Sequence, residues 1–246
     1  MTRRFFAPPA NFQNSKIILD ADESKHLRDV LRLRAGAEIN IFDGEGREFS
    51  AVAETIGRRE TILSNVVEIV PSAPESSLNL TLAVALLKGE KFDLVVQKTC
   101  EIGVTKIVPL ETKRADVRIK DEREAAKKLT RWRRIALESA KQSGRAKLMQ
   151  IDAPVLFEKF VSEKEEITIL FAERDGQSFE SFVGENPRVK KLTAIVGAEG
   201  GWEMSEIELA RKNNLPVVTL GGRILRAETA AVAVSVLLQN HFGDLK

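Results

Sequence analysis

The feature that most restricts the fold is the alternation of short apolar runs with helical patterns over residues 78–246. Leu80 to Leu87, Thr105 to Pro109, Ile167 to Ala172, Leu192 to Val196 and Val217 to Leu220 are short and largely apolar. Between or after them, Glu90 to Ile102, Arg123 to Gly144, Ser205 to Asn213 and Ala227 to Asn240 carry apolar residues at three- and four-residue spacing. Buried-type strands joined by helices predict an α/β fold with a mostly parallel sheet covered on both faces. Residues 1–70 read differently. Glu38 to Phe42, Glu48 to Glu54 and Thr61 to Val70 look like strands, with turn chemistry at Asp43-Gly44-Glu45-Gly46. Asp22 to Leu33 looks like a helix, with Leu27, Val30 and Leu31 on one side, Asp20 or Asp22 as N-cap and Gly36 just past the end. A small β-barrel-like domain fits this part. Pro71 to Ser77 (PSAPESS) has no apolar periodicity and is the expected linker, giving domains of 1–70 and 78–246.

Charge bears on partners once it is divided along the chain. The totals, 38 Lys+Arg and 36 Asp+Glu in 246 residues, nearly cancel. Residues 113–147, however, hold 13 basic and five acidic residues, and the remainder is net acidic. Such a segment either meets a polyanion or is a solvated helix face. Lys25, Arg28 and Arg32 form a second, shorter basic stripe with the same two readings. One Cys and two His leave no internal disulfide and no ordinary zinc site, so no metal is expected. Cys100 shares a helical face with Phe92, Val95 and Val96, which reads as core, and His26 reads as a surface or capping residue. Met1 to Phe6 lacks the apolar run of a secretory signal, and no apolar run is long enough to span a membrane, so a cytoplasmic protein is expected.

Ligands of open α/β sheets bind beyond the carboxyl ends of the strands. Two glycine-rich loops fall there: Gly197-Ala198-Glu199-Gly200-Gly201 after Leu192 to Val196, and Gly221-Gly222-Arg223 after Val217 to Leu220. Glycines let backbone approach a ligand closely, so the pair suits an adenosine-type cofactor. Neither loop is a dinucleotide fingerprint or a Walker loop, which argues against a dehydrogenase or a nucleotide triphosphatase.

Four ordered stretches carry a family resemblance: Lys88 to Leu110 (KGEKFDLVVQKTCEIGVTKIVPL), Arg131 to Arg145 with RW and ESAKQSGR, Val196 to Trp202 (VGAEGGW) and Leu220 to Ala230 (LGGRILRAETA). With the amino-terminal RRFF and His26 to Gly46, they resemble the RsmE family of SPOUT RNA methyltransferases, which methylate N3 of a uridine in the decoding region of 16S ribosomal RNA. Ala198 departs from the proline common in the family's G-P-E-G-G loop. The resemblance implies a PUA-like RNA-binding domain followed by a SPOUT domain with a carboxyl-terminal trefoil knot. It also implies S-adenosylmethionine as cofactor, a homodimer, and 16S rRNA or the 30S subunit as partner. Alternatives are a non-catalytic ribosome-assembly protein and a SPOUT enzyme acting on another RNA.

The chemistry then suggests roles. Uridine N3 carries a proton near neutral pH, so a methyl acceptor there needs deprotonation or stabilisation of the developing anion. The fixed guanidinium of Arg226 suits the second task, and Glu199 and Glu228 are the local carboxylates for the first. Main chain around Leu170 and Phe171, around Gly197, Gly200 and Gly201, and at Leu220, Gly221, Ile224 and Leu225 is expected to hold the cofactor. Arg28, Arg32, Arg34, Arg131, Arg134 and Arg145 are the expected RNA contacts. Trp132 and Trp202 are candidates for stacking on the base or, alternatively, core residues.

Overall fold

The computed structural model describes residues 4–163 and 167–246; the reading of Met1 to Arg3 as free of a signal lies outside them. Two compact units emerge, residues 1–75 with 140–148, and residues 76–139 with 149–246. The boundary between residues 75 and 76 falls inside the expected linker. One correction concerns Ala140–Leu148, the last turn of a helix begun in the second unit together with the residues after it, which folds with the first unit.

The first unit contains β1 (Arg4–Phe6), β2 (Phe12–Gln13), β3 (Lys16–Leu19), the short helix α1 (Ala21–Lys25), β4 (Glu38–Phe42), β5 (Glu48–Ile56) and β6 (Thr61–Ile69). They form one sheet in the order β1-β4-β5-β6-β3-β2, antiparallel except for β1 against β4. Register shifts at Ser50/Val52 and Ala53/Thr55 on β5 add the local twist that lets a sheet curl. Ile17, Leu19, Ile39, Ile41, Ala51, Ala53 and Leu63 alternate inward and meet Phe5 and Leu27 in one core. Asp20 caps α1 by accepting from the Glu23 N–H at 2.9 Å. The expected helix over Asp22 to Leu33 is not continuous. From His26 to Val30 the backbone widens into a π-type turn, which rotates Val30 out to 67% exposure while Leu27 stays buried. A buried ion pair closes the unit: Arg4 donates to both carboxylate oxygens of Glu48 and to the carbonyls of Ala140 and Arg145. Here lies the physical reason for the correction above, since the 140–148 segment supplies acceptors to a guanidinium that burial would otherwise leave short of partners.

The second unit contains β7 (Asn79–Ala85), α2 (Lys91–Glu101), β8 (Lys106–Glu111), most of α3 (Glu122–Ser143), β9 (Gln150–Ile151), β10 (Val155–Leu156), α4 (Phe157–Ser162) and β11 (Thr168–Phe171). It continues through β12 (Gln177–Ser178), α5 (Phe179–Glu185), β13 (Lys191–Val196), α6 (Met204–Lys212), β14 (Val217–Thr219) and α7 (Ala227–Phe242). The strands order as β10-β8-β7-β13-β11-β14-β12, with β9 beside β8, and every ladder is parallel. Ala83, Leu170, Ile195 and Val217 pack with Phe157 and Val161 of α4 and Ala210 of α6. On α2, Phe92, Val95, Val96, Thr99 and Cys100 are buried at the spacing of one helical face, so Cys100 is a core residue. Helix α7 packs on α2, β7 and β13. It buries Ala227, Ala231, Val234, Ser235, Leu238 and Gln239; the Gln239 amide donates to the Gly103 carbonyl at 2.9 Å and accepts from Ser76 at 2.6 Å.

Candidate active site

In a parallel sheet all strand carboxyl ends lie on one edge, and in this sheet β13, β11 and β14 are consecutive neighbours. Their three following segments line one pocket. Phe171, Ala172 and Glu173 come from the end of β11, and Val196 and Gly197 from the end of β13. Leu220, Gly221, Arg223, Ile224 and Leu225 follow β14, and α7 adds Ala227, Ala230 and Val234. The sequence-predicted residues Phe171, Gly197, Leu220, Gly221, Ile224 and Leu225 thus meet in one place.

Three others stand beside it. Leu170 is fully buried in the sheet core, and its N–H is spent on the Pro216 carbonyl at 2.9 Å. Gly200 and Gly201 shape the first loop from behind. The Gly201 N–H donates to the Ala198 carbonyl at 3.0 Å, with φ at +69°, so the turn closes without the family's proline. A Cβ at Gly201 would sit 2.5 Å from Glu173 Oε1, and one at Gly200 would sit 2.9 Å from the Arg114 carbonyl. Trp202 locks the loop: its ring lies against Phe157, its indole N–H donates to the Phe171 carbonyl at 2.8 Å, and a Cβ at Gly197 would meet it at 3.0 Å. Trp132 is buried against Phe92. Trp132 is therefore a core residue, and Trp202 is buried in the core while also lining the pocket.

The two candidate carboxylates differ in environment. Burial pushes Glu199 upward, but its own N–H, the Lys91 ammonium and the Lys88 N–H together outweigh that and hold it below the usual carboxylate range. Lys91 Nζ lies 3.0 Å from Glu199 Oε1 and the Lys88 N–H donates to the same oxygen at 3.3 Å. Glu228, in the first turn of α7, keeps its Oε2 buried and without a hydrogen-bond partner, with Lys91 Nζ at 4.0 Å. Arg226 is the N-cap residue of α7, is exposed, and is not part of the pocket lining.

Of the expected RNA contacts, Arg32, Arg34 and Arg134 are exposed. Arg28 forks onto Asp29 and donates to the Gly57 carbonyl, and Arg131 pairs with Asp93. Arg145 departs from its expected place. It is 4% exposed and its guanidinium grips both oxygens of Glu75, so it holds the first unit together instead of facing solvent. Arg223, inside the expected second loop, also lines the pocket, whereas sequence reasoning missed Glu173 there and Arg114, which donates to Glu203 and to the Gly200 carbonyl. Glu173 was findable, because it lies two residues past a strand end already assigned to the site.

The pocket's composition fits S-adenosylmethionine. Its walls are mainly apolar, Gly197 and Gly221 leave the backbone open to close approach, and Glu173 offers a carboxylate to a cationic ligand. Among the described residues no group of His, Cys, Asp and Glu could hold a metal ion, and no helix is long and apolar enough to cross a membrane.

Residues 74–239 match a family described as an RNA methyltransferase domain, and residues 19–63 match an RNA methyltransferase PUA domain. Ribosomal RNA small subunit methyltransferase E of Synechocystis is 31% identical over 234 residues, 94% of this chain and 75% of the relative. The Rickettsia conorii protein of the same name is 31% identical over 240 residues, 95% of this chain and 94% of the relative. A putative methyltransferase from Legionella pneumophila, solved with bound S-adenosylmethionine, superposes with a TM-score of 0.89 at 31% identity over 100% of both chains. Ribosomal RNA small subunit methyltransferase E from Neisseria gonorrhoeae, bound to the same cofactor, gives 0.88 at 28% identity, again over 100% of both.

Proposed function

We propose, from the premise that this chain belongs to the ribosomal RNA small subunit methyltransferase E family and is an S-adenosylmethionine-dependent RNA methyltransferase, that it methylates N3 of one uridine in the decoding region of 16S rRNA. The observation that carries the cofactor's place is the pocket at three adjacent parallel strand ends, with Gly197 and Gly221 in its lining. Phe171, Val196, Ala230 and Val234 offer apolar wall, the main chain of 220–225 offers hydrogen-bonding groups, and Glu173 offers the negative charge. When bound, the cofactor supplies an electrophilic methyl group.

The protein's own tasks are alignment, exclusion of water and control of the N3 proton. Glu228 takes that proton in this reading, because its buried Oε2 has no hydrogen-bond partner while Glu199 already accepts from two donors. Arg226, two residues earlier, donates to a uracil carbonyl oxygen as negative charge spreads over O2 and O4. The RNA is held by exposed Arg32, Arg34 and Arg134, with Arg28 and Arg131 exchanging a carboxylate for a phosphate. A cytoplasmic homodimer completes the reading. Exposed Val236 and Leu237 on α7 suit a face covered by a second copy, and the return of α7 onto β7 and β13 after β14 suits the knot that the family resemblance implies.

The test is calorimetric titration with S-adenosylmethionine followed by methyl incorporation into small-subunit rRNA lacking the modification. Cofactor binding with one methyl per rRNA supports the assignment. Binding of RNA without cofactor would reduce the chain to an assembly factor.

A further inference from the structure

Lysine at the first position of a helix is electrostatically misplaced, because the amino-terminal end already carries partial positive charge. Lys91 occupies that position on α2 and does not line the pocket. Its ammonium is 3.0 Å from Glu199 in the first glycine loop and 4.0 Å from Glu228 at the start of α7, which brings two carboxylates within about 7 Å of each other around one cation. Both carboxylates are largely shielded, with side chains 22% and 13% exposed. Two anions so placed repel unless the cation between them is present, and that repulsion acts on the two segments that wall the pocket.

We propose that Lys91 is a positioning residue for methyl transfer, holding the loop 197–201 and the start of α7 at a fixed separation through Glu199 and Glu228. It never touches cofactor or base. Its effect passes through Glu228, whose carboxylate it orients, and through the backbone that leads from Arg226 into α7. The inference rests on the assignment of the pocket and of Glu228 made above. Lys88 takes no equal part, since its ammonium is engaged 2.9 Å away by Asp116 and only its N–H reaches Glu199.

The experiment compares wild type with Lys91→Met, Lys91→Gln and Lys91→Arg in single-turnover methylation, cofactor calorimetry, rRNA binding across a salt series and thermal unfolding. Lys91→Met and Lys91→Gln are expected to lower the single-turnover rate at least tenfold at saturating cofactor and RNA, with rRNA affinity and its salt slope unchanged. Lys91→Arg should recover most of the rate. The double variant Lys91→Met/Glu199→Gln should lose less than the product of the single losses, because it removes the repulsion with the cation. A rate and cofactor affinity within twofold of wild type in both neutral variants would overturn the proposal. So would a loss confined to rRNA affinity with a shallower salt slope, which would make Lys91 a phosphate contact, or failure of Lys91→Arg to rescue. A wild-type protein that neither binds cofactor nor transfers methyl would instead reject the functional assignment itself, a result separable from all of these.

Discussion

The loop Gly197–Gly201 is held on every side. Ala198 is buried beside Ala85 and Ala115, Glu199 is tied to α2, the Gly200 carbonyl accepts from Arg114, and Trp202 anchors the end. The loop Gly221–Arg226 has none of this. All six residues are exposed, a Cβ at Gly221 or Gly222 would meet nothing within 4 Å, and Ile224 stands 66% in solvent although it lines the pocket. One wall of the site is therefore built before any ligand arrives, and the other offers apolar and cationic groups whose partners lie outside the folded chain. Preorganised groups lower the cost of reaching a reactive geometry, while a sparsely held loop can close over what enters.

This contrast can be broken at defined points. The largest effect is expected at the open loop's end: Arg226→Ala should lower the single-turnover rate by about 10²–10³-fold, the scale of removing one donor to a developing oxyanion, with cofactor affinity retained by calorimetry. Next comes the closed loop. Gly201→Val combines a positive φ with a clash against Glu173 and should weaken cofactor binding at least tenfold, whereas Gly222→Ala, facing open space, should leave it within twofold. Ile224→Ser and Leu225→Ser should each weaken the cofactor only a few-fold without moving the melting temperature, because neither side chain supports the core. The smallest effect is expected from pH. Glu199 is held below its ordinary value, so the stability it adds is complete above the usual glutamate range and is lost as pH falls through the depressed folded value. Melting curves of wild type and Glu199→Gln should accordingly differ most above the usual glutamate range and converge only once pH is below the depressed folded value.

The same contrast explains what was legible in the sequence. Helix α2 could be read from Phe92, Val95, Val96, Thr99 and Cys100 because its periodicity is the cause of its burial. The pocket could be located because glycine loops after parallel strands necessarily share one edge. Strand β3 was not legible: only Ile17 and Leu19 are buried in its four residues, and pairing with β6 fixes it. Arg145 looks like any other arginine of a basic run until Glu75, 70 positions earlier, is placed against it. Arg4 likewise gathers its acceptors from Glu48, Ala140 and Arg145, a pairing that no local pattern encodes. Val30 fits an ideal helical face and is exposed because the turn from His26 widens.

The most direct test of the account is incubation of the protein with labelled S-adenosylmethionine and small-subunit rRNA, naked or in 30S particles, lacking the modification, followed by mapping of the product. The account predicts one labelled methyl on N3 of a single uridine, abolished in Arg226→Ala. A methyl on another atom or base, or cofactor binding with no transfer to either substrate, would contradict it.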